Sequence, residues 1–240
     1  MEVMRSVVRE GDTAFDIGAN IGLHSILLSR LVGPGGRLYA FEPNPELIPA
    51  LMRTVSELEN ALLDTVALSD ENSETLLFVP SDNSMGSLTD WTANTDYSDE
   101  GGAHTVRCEQ RRMDDLIESG SLPQPHFIKC DVEGAEMLVF KGGHRSLNRA
   151  DAPIILFEAN KEASEGFGYG ASAAKDYLAN LEDAKYVFFQ VGSGGKLQPL
   201  SEEYTFISIL AVPRLRVQQC SKLMTVDPEL LGKLKYQELN

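Results

Sequence analysis

Thr13–Ser25 reads T-A-F-D-I-G-A-N-I-G-L-H-S, and Leu38–Asn44, past a glycine-rich break, reads L-Y-A-F-E-P-N. Ala14-Phe15 begins a short buried strand that stops at Asp16, and Gly18-Ala19-Asn20-Ile21-Gly22 turns the chain into a helix with Ile26, Leu27 and Leu31 on one face. Gly33-Pro34-Gly35-Gly36 ends that helix, and Arg37–Phe41 forms a second strand finishing at Glu42. Such a βαβ unit offers backbone N–H groups at its first turn and a carboxylate at the end of its second strand. Together these grip a nucleoside that carries a phosphate or amino-acid tail.

The same alternation continues downstream. Asn44-Pro45 has the form of an N-cap followed by a first-turn proline, and Leu47, Ile48, Leu51, Met52, Val55 and Leu58 recur at helical spacing. Pro49 interrupts that pattern, so the helix is either kinked or begins later. Leu63–Leu68 reads as the third strand, with Ser69-Asp70 as the polar turn after it. Residues 71–112 depart from the alternation: Glu74–Val79 and Thr105–Gln110 are extended, and a polar loop, Pro80–His104, lies between them as a substrate-side cover or a surface excursion. Met113–Ile117 is a short helix, His126–Cys130 a strand stopping at Asp131, and a helix follows from about Glu136 to Leu147. Pro153–Phe157 is nearly all apolar, as expected of a parallel strand covered on both faces, and stops at Glu158. A helix over Ala171–Leu181 leads to strands Tyr186–Val191 and Thr205–Val212, an antiparallel pair joined by a short connection. Residues 1–213 therefore read as one domain, with 71–112 inserted in it and 214–240 a tail or packing helix.

Four strands end in acids, Asp16, Glu42, Asp131 and Glu158, and in an open α/β sheet those ends share the edge where ligands bind. Glu42 follows Gly18 at close to the roughly 20 residues expected of a nucleoside-binding unit, where a carboxylate accepts hydrogen bonds from ribose hydroxyls. A dinucleotide fingerprint is G-x-G-x-x-G, whereas Asn20 stands at its middle glycine here, so a ligand without pyrophosphate fits better. S-adenosylmethionine is such a ligand, with a ribose for Glu42 and a methionine tail for the glycine turn.

D-I-G-A-N-I-G at Asp16–Gly22, F-E-P-N-P at Phe41–Pro45, A-L-S-D at Ala67–Asp70 and I-K-C-D-V-E-G-A-E at Ile128–Glu136 occur in this order and spacing. In that combination the chain resembles the FkbM-type family of S-adenosylmethionine-dependent methyltransferases over about residues 8–212. The resemblance implies an α/β, Rossmann-like class I methyltransferase fold: a seven-stranded, mostly parallel sheet of order 3-2-1-4-5-7-6, strand 7 antiparallel, with helices on both faces. It further implies O-methylation of a hydroxyl on a sugar or secondary-metabolite acceptor. Cofactor contacts would come from Asp16, Gly18, Asn20, Gly22, Glu42, Asn44, Leu68, Ser69 and Asp131, and the region that often precedes the first strand is short here.

A sugar hydroxyl is a poor nucleophile at neutral pH, so a base or a metal must activate it, and Asp131, Glu133 and Glu136 are the candidates. Asp131 with Glu158 and Asn160 is also an oxygen-only set that suits Mg2+. Glu133 and Glu136 alternatively serve as a cap at a helix N-terminus. Packing or exposure accounts for His24, and Lys129 either pairs with a site acid or faces solvent. A nucleotide-dependent oxidoreductase and a catalytically idle cofactor-binding scaffold remain alternatives.

With 21 Lys+Arg against 36 Asp+Glu, the net charge of −15 repels phosphate backbones and anionic lipid, so nucleic acid and membrane are not expected partners. The 240 residues, 42% hydrophobic, suffice for one large domain. Cys108, Cys130 and Cys220 lack any C-x-x-C spacing, and no run approaches the roughly 20 residues of a membrane span, so a cytoplasmic protein is expected.

Overall fold

Alternation along the parallel strands decides the layering. In the computed structural model, which describes residues 1–80, 86–92 and 103–220, the first half runs α1 (Glu2–Val7), β1 (Thr13–Ile17), α2 (Leu23–Val32), β2 (Arg37–Phe41), α3 (Ile48–Ser56), β3 (Ala61–Asp64), β4 (Ala67–Leu68), β5 (Ser73–Val79), β6 (His104–Arg111) and α4 (Met113–Glu118). The second half runs β7 (Phe127–Cys130), α5 (Glu136–Gly142), α6 (His144–Leu147), β8 (Ile154–Asn160), α7 (Lys161–Gly166), α8 (Ala173–Ala179), β9 (Tyr186–Val191), β10 (Leu197–Pro199) and β11 (Phe206–Pro213). Phe15, Ile17, Ile128 and Cys130 face one layer with Val139, Phe140 and Leu178 from α5 and α8. Ala14, Phe127 and Ile154 face the other, against Leu28 and Val32 of α2 and Val3, Met4 and Val7 of α1. Each large apolar side chain so buried contributes roughly 1.5–3 kcal/mol.

Among the described residues the main sheet has the order β10-β9-β11-β8-β7-β1-β2-β3. Strands β3, β2, β1, β7 and β8 pair in parallel, and β11 runs antiparallel to both β8 and β9. This is the class I methyltransferase order with its antiparallel seventh strand, extended to eight strands by β10 on the outer edge.

The third strand differs from the reading of Leu63–Leu68 as one element. β3 ends at Asp64, and Ala67-Leu68 crosses to a separate sheet of order β4-β6-β5. Ala67 is buried there against Leu77, Val79 and Cys108 in a second small core, while Leu68 packs into the main one. Residues 73–111 supply the rest of that sheet, β5 pairing antiparallel with β6 from Ser73↔Gln110 to Val79↔His104.

Three further boundaries move. Helix α3 starts at Ile48 and carries Pro49 in its first turn, where a missing N–H costs nothing and no kink is needed. The helix expected over Glu136–Leu147 is two helices, broken at Gly143. Strand β8 continues past Glu158 to Asn160 because β11 pairs with it throughout, Ser208 opposite Glu158 and Phe206 opposite Asn160. The expected tail begins as a 3-10 helix, Arg214–Cys220, and residues 221–240 lie outside the described residues. No helix among the described residues is long and apolar enough to cross a membrane.

Candidate active site

The carboxyl ends of β1, β2 and β7 open onto a cleft of about 330 Å³ lined by the glycine turn, Glu42, Val66–Leu68, Lys129 and Asp131–Glu133. Leu77 and residues 86–88 form its far wall.

The glycine turn is held from below and from both sides. The N–H groups of Gly18 and Ala19 donate to the Phe41 carbonyl at 3.0 and 2.9 Å, which docks the turn on the end of β2. Gly18 sits at φ 74°, and a Cβ there would lie 1.8 Å from the Asp131 carbonyl oxygen, so no other residue fits between β1 and the β7 exit. Asn20 is left-handed at φ 54°, a conformation Asn tolerates, and its Oδ1 accepts from Ile21 N–H at 2.8 Å. Thr54 Oγ1 of α3 donates to the Ile21 carbonyl at 2.9 Å.

Glu42 stands at the exit of β2, as the sequence reading has it. Its Oε2 accepts from Asn20 N–H and its Oε1 from Asn44 N–H, each at 2.9 Å, so one carboxylate joins the glycine turn to the chain after β2. Burial pushes its carboxyl above the ordinary value, opposed by those two amides. Asn44 itself is fully buried and its Oδ1 accepts from Glu46 N–H at 3.0 Å, a local turn role. It is not among the residues that line the cleft.

Asp16 is not at a strand end. It is the fourth residue of β1, wholly buried, with Oδ2 accepting from Ser25 Oγ of α2 at 2.6 Å. Strand β1 continues through Ile17 because Ile17 pairs with both Phe41 and Cys130. Beside it, Lys129 is 6% exposed, inward and paired rather than solvated. Its Nζ lies 3.1 Å from the Gly18 carbonyl, 3.7 Å from Asp16 Oδ1 and 3.2 Å from Asp131 Oδ2. Burial pushes the ammonium down, but Asp16 and Asp131 outweigh it and hold the group above the ordinary lysine value. The sequence signal for this residue was a lone cation inside an otherwise apolar strand.

The three acids after β7 divide by task. Asp131 and Glu133 line the cleft. Burial, then the neighbouring acids, push Glu133 up to about 8. Glu133 adopts φ 51°, and its carbonyl accepts from Ser87 Oγ at 2.7 Å, which ties the inserted segment to this turn. Glu136 is instead 3% exposed with Oε1 accepting from Val132 N–H at 3.0 Å, so it shapes the turn from beneath; burial raises it to about 8. Leu68 lines the cleft, whereas Ser69 is buried against α5, where a Cβ on Gly142 would meet the Ser69 carbonyl at 1.9 Å.

The residues considered for Mg2+ each have other surroundings in the fold. Asp131 is engaged with the Lys129 ammonium, and Asn160 caps α7 through Oδ1 to Ala163 N–H at 3.3 Å. Glu158 sits two residues inside the end of β8 and is pushed up to about 7 by burial and by Asp131. Among the described residues no group of three or more His, Cys, Asp or Glu side chains could hold a metal ion.

His24 is among the cleft's lining residues, and burial followed by Lys129 pushes its imidazole below the ordinary value. Within the loop Pro80–His104, Gly86–Leu88 wall the cleft, and Thr89 Oγ1 reaches the Gly166 carbonyl of α7 at 3.4 Å. Residues 81–85 and 93–102 lie outside the described residues.

A family model described as the methyltransferase FkbM domain matches residues 16–188. The chain is 27% identical to the hexuronic acid methyltransferase of Haloferax volcanii over 65% of this chain and 60% of that protein. It is 29% identical to a 2-O-methyltransferase of Sinorhizobium fredii over 56% of this chain and 58% of that protein. It thus spans less than two thirds of the length of these relatives. Among solved structures it is similar to a methyltransferase FkbM from Methylobacillus flagellatus, with a TM-score of 0.52 and 16% identity over 83% of this chain and 43% of that one.

Proposed function

The chain belongs to the FkbM-domain methyltransferases, and from that premise we propose that it is an S-adenosylmethionine-dependent O-methyltransferase acting on a hydroxyl of a sugar or other small-molecule acceptor. The observation that carries the reading is Glu42. Its carboxylate is fixed in direction by two backbone N–H groups at the wall of the cleft, and a carboxylate has about four lone-pair positions, so two remain for vicinal ribose hydroxyls. The relatives named for hexuronic acid and for 2-O-methylation support oxygen on a sugar as the acceptor atom. Residues 1–213 then form the methyltransferase domain, with 71–112 inserted in it.

S-adenosylmethionine supplies an electrophilic methyl group on a sulfonium. The protein's part is alignment and proton transfer. Gly18–Ile21 receives the amino-acid end, and the apolar walls at Val66–Leu68 and Leu77 exclude water around the adenine. Asp131, at the first position beyond β7, receives the proton lost by the acceptor hydroxyl. Glu133 lines the cleft beside Asp131, where burial and the neighbouring acids raise it to about 8. Glu136 holds the turn and takes no part in the transfer.

Calorimetric titration with S-adenosylmethionine and with NAD tests the cofactor, and labelled methyl incorporation into a panel of hydroxylated sugars tests the acceptor. Micromolar binding of the former and none of the latter is expected. Binding of NAD in its place sinks the reading.

A further inference from the structure

We propose that Lys129 is a positioning residue for methyl transfer: its buried ammonium ties the glycine turn to Asp131 and sets the direction of the Asp131 carboxylate at the reacting centre. The inference rests on the cofactor reading above and deepens it.

The strand register accounts for the placement. Lys129 pairs with Asp16 across β7 and β1, so the two side chains leave the sheet on one face. Phe127, two residues earlier on that face, is buried in the apolar layer beneath α2. An aliphatic side chain would continue the layer, and an ammonium taken out of water costs several kcal/mol unless ion pairs and hydrogen bonds offset it. Here they come from three separate parts of the site. Nζ donates to the Gly18 carbonyl at 3.1 Å, faces Asp16 Oδ1 at 3.7 Å and pairs with Asp131 Oδ2 at 3.2 Å. Asp16 Oδ1 is buried and accepts no hydrogen bond among the described residues, so the ammonium is what compensates it.

The consequence is mechanical as well as electrostatic. Gly18 is already pressed against the Asp131 backbone, and Lys129 adds a side-chain link between the same two residues. With Asp131 Oδ2 held inward, the rest of that carboxylate is presented to the cleft, which Lys129 and Asp131 both line. Two carboxylates and one ammonium leave the cluster with one net negative charge, the complement of a sulfonium. Without the ammonium, Asp16 and Asp131 lose the cation between them, and the Asp131 carboxylate is free to swing away from the glycine turn.

The test is a double-mutant cycle read by calorimetric S-adenosylmethionine binding, with circular dichroism and thermal melting to establish folding. Lys129→Met is expected to raise Kd about tenfold or more, whereas the same change on an Asp131→Asn background raises it less than about threefold, because the partner through which Lys129 acts is already neutral. Lys129→Gln, which keeps a donor for the Gly18 carbonyl but loses the charge, is run through the same cycle and replaces Lys129→Met if that variant does not fold. Equal fold-losses on both backgrounds, wild-type affinity in Lys129→Met, or failure of both single variants to fold would assign Lys129 a purely structural role and overturn the proposal. If the wild type itself does not bind S-adenosylmethionine, the cofactor reading falls and this one with it; wild-type binding with equal losses removes this one alone.

Discussion

Glu42 commits both carboxylate oxygens to backbone N–H groups before any ligand arrives. Ordering a free glutamate on a ribose would cost side-chain entropy at the moment of binding; here the fold has already supplied it. Glu42→Ala is therefore expected to weaken S-adenosylmethionine binding about tenfold to a hundredfold, the range for a hydrogen bond to a charged group, with the protein still folded. Calorimetry on the purified variant checks this, and unchanged affinity would remove the ribose assignment. The carboxylates after β7 show that like residues in one motif take different tasks. Glu133 and Glu136 are both acids raised to about 8, yet one faces the cleft and the other turns onto Val132 N–H. Position in the motif does not distinguish them; in the fold Glu133 sits in the left-handed turn at the cleft, whereas Glu136 opens α5.

At the scale of elements, the site depends on how closely β1, β2 and β7 bring their exits together. Gly18 is where this is tightest, with φ 74° and the Asp131 carbonyl in the space of its missing Cβ. Gly18→Ala must either move β7 away or distort the turn. We expect a loss of about 2 kcal/mol or more in stability and no measurable S-adenosylmethionine binding, read by urea unfolding and calorimetry. An alanine variant with native affinity would mean that the turn does not receive the cofactor. The inserted sheet is a second element with a clear physical role. It cannot bury both faces alone, so it packs Ala67, Leu77 and Val79 into a small core and sends Ser87 back to Glu133. Its described residues thus wall the cleft rather than leave it for solvent.

For the whole molecule, the acids determine how stability responds to pH. Glu133 and Glu136 rise from 4.5 to about 8 and Glu158 from 4.5 to about 7, chiefly by burial. A carboxyl raised in the fold binds its proton more tightly there than in the unfolded chain. Its contribution is fully present below the unfolded value near 4.5 and is lost as pH rises through about 8. The urea midpoint is therefore expected to fall between about pH 5 and about pH 8, and Glu136→Gln, which keeps an acceptor for Val132 N–H, is expected to flatten that slope. A midpoint constant across this range would contradict the burial of these acids. The net charge of −15 adds self-repulsion in the same direction, so the comparison between variant and wild type is the informative one.

The order of strands and helices, the glycine turn, Glu42 at the exit of β2 and Asp131 at the exit of β7 were legible in the linear chain. Each rests on a local rule: apolar runs, glycine at a tight turn, and a polar residue where a strand leaves the core. Strand ends were less legible, because an end is set by the neighbour. Asp16 lies inside β1 through its pairing with β2 and β7, and Glu158 lies inside β8 through β11. The division of Leu63–Leu68 between two sheets was hidden for the same reason, since its partner β6 lies some forty residues on. Sequence alone thus determined the family and the acids available along the sheet, and the family resemblance implied the sheet order. Only the tertiary structure decided which acids face the cleft, that Asn160 caps a helix, and that Lys129 is buried between Asp16 and Asp131. Those outcomes depend on contacts between residues far apart in the chain, where burial and pairing outweigh any local preference.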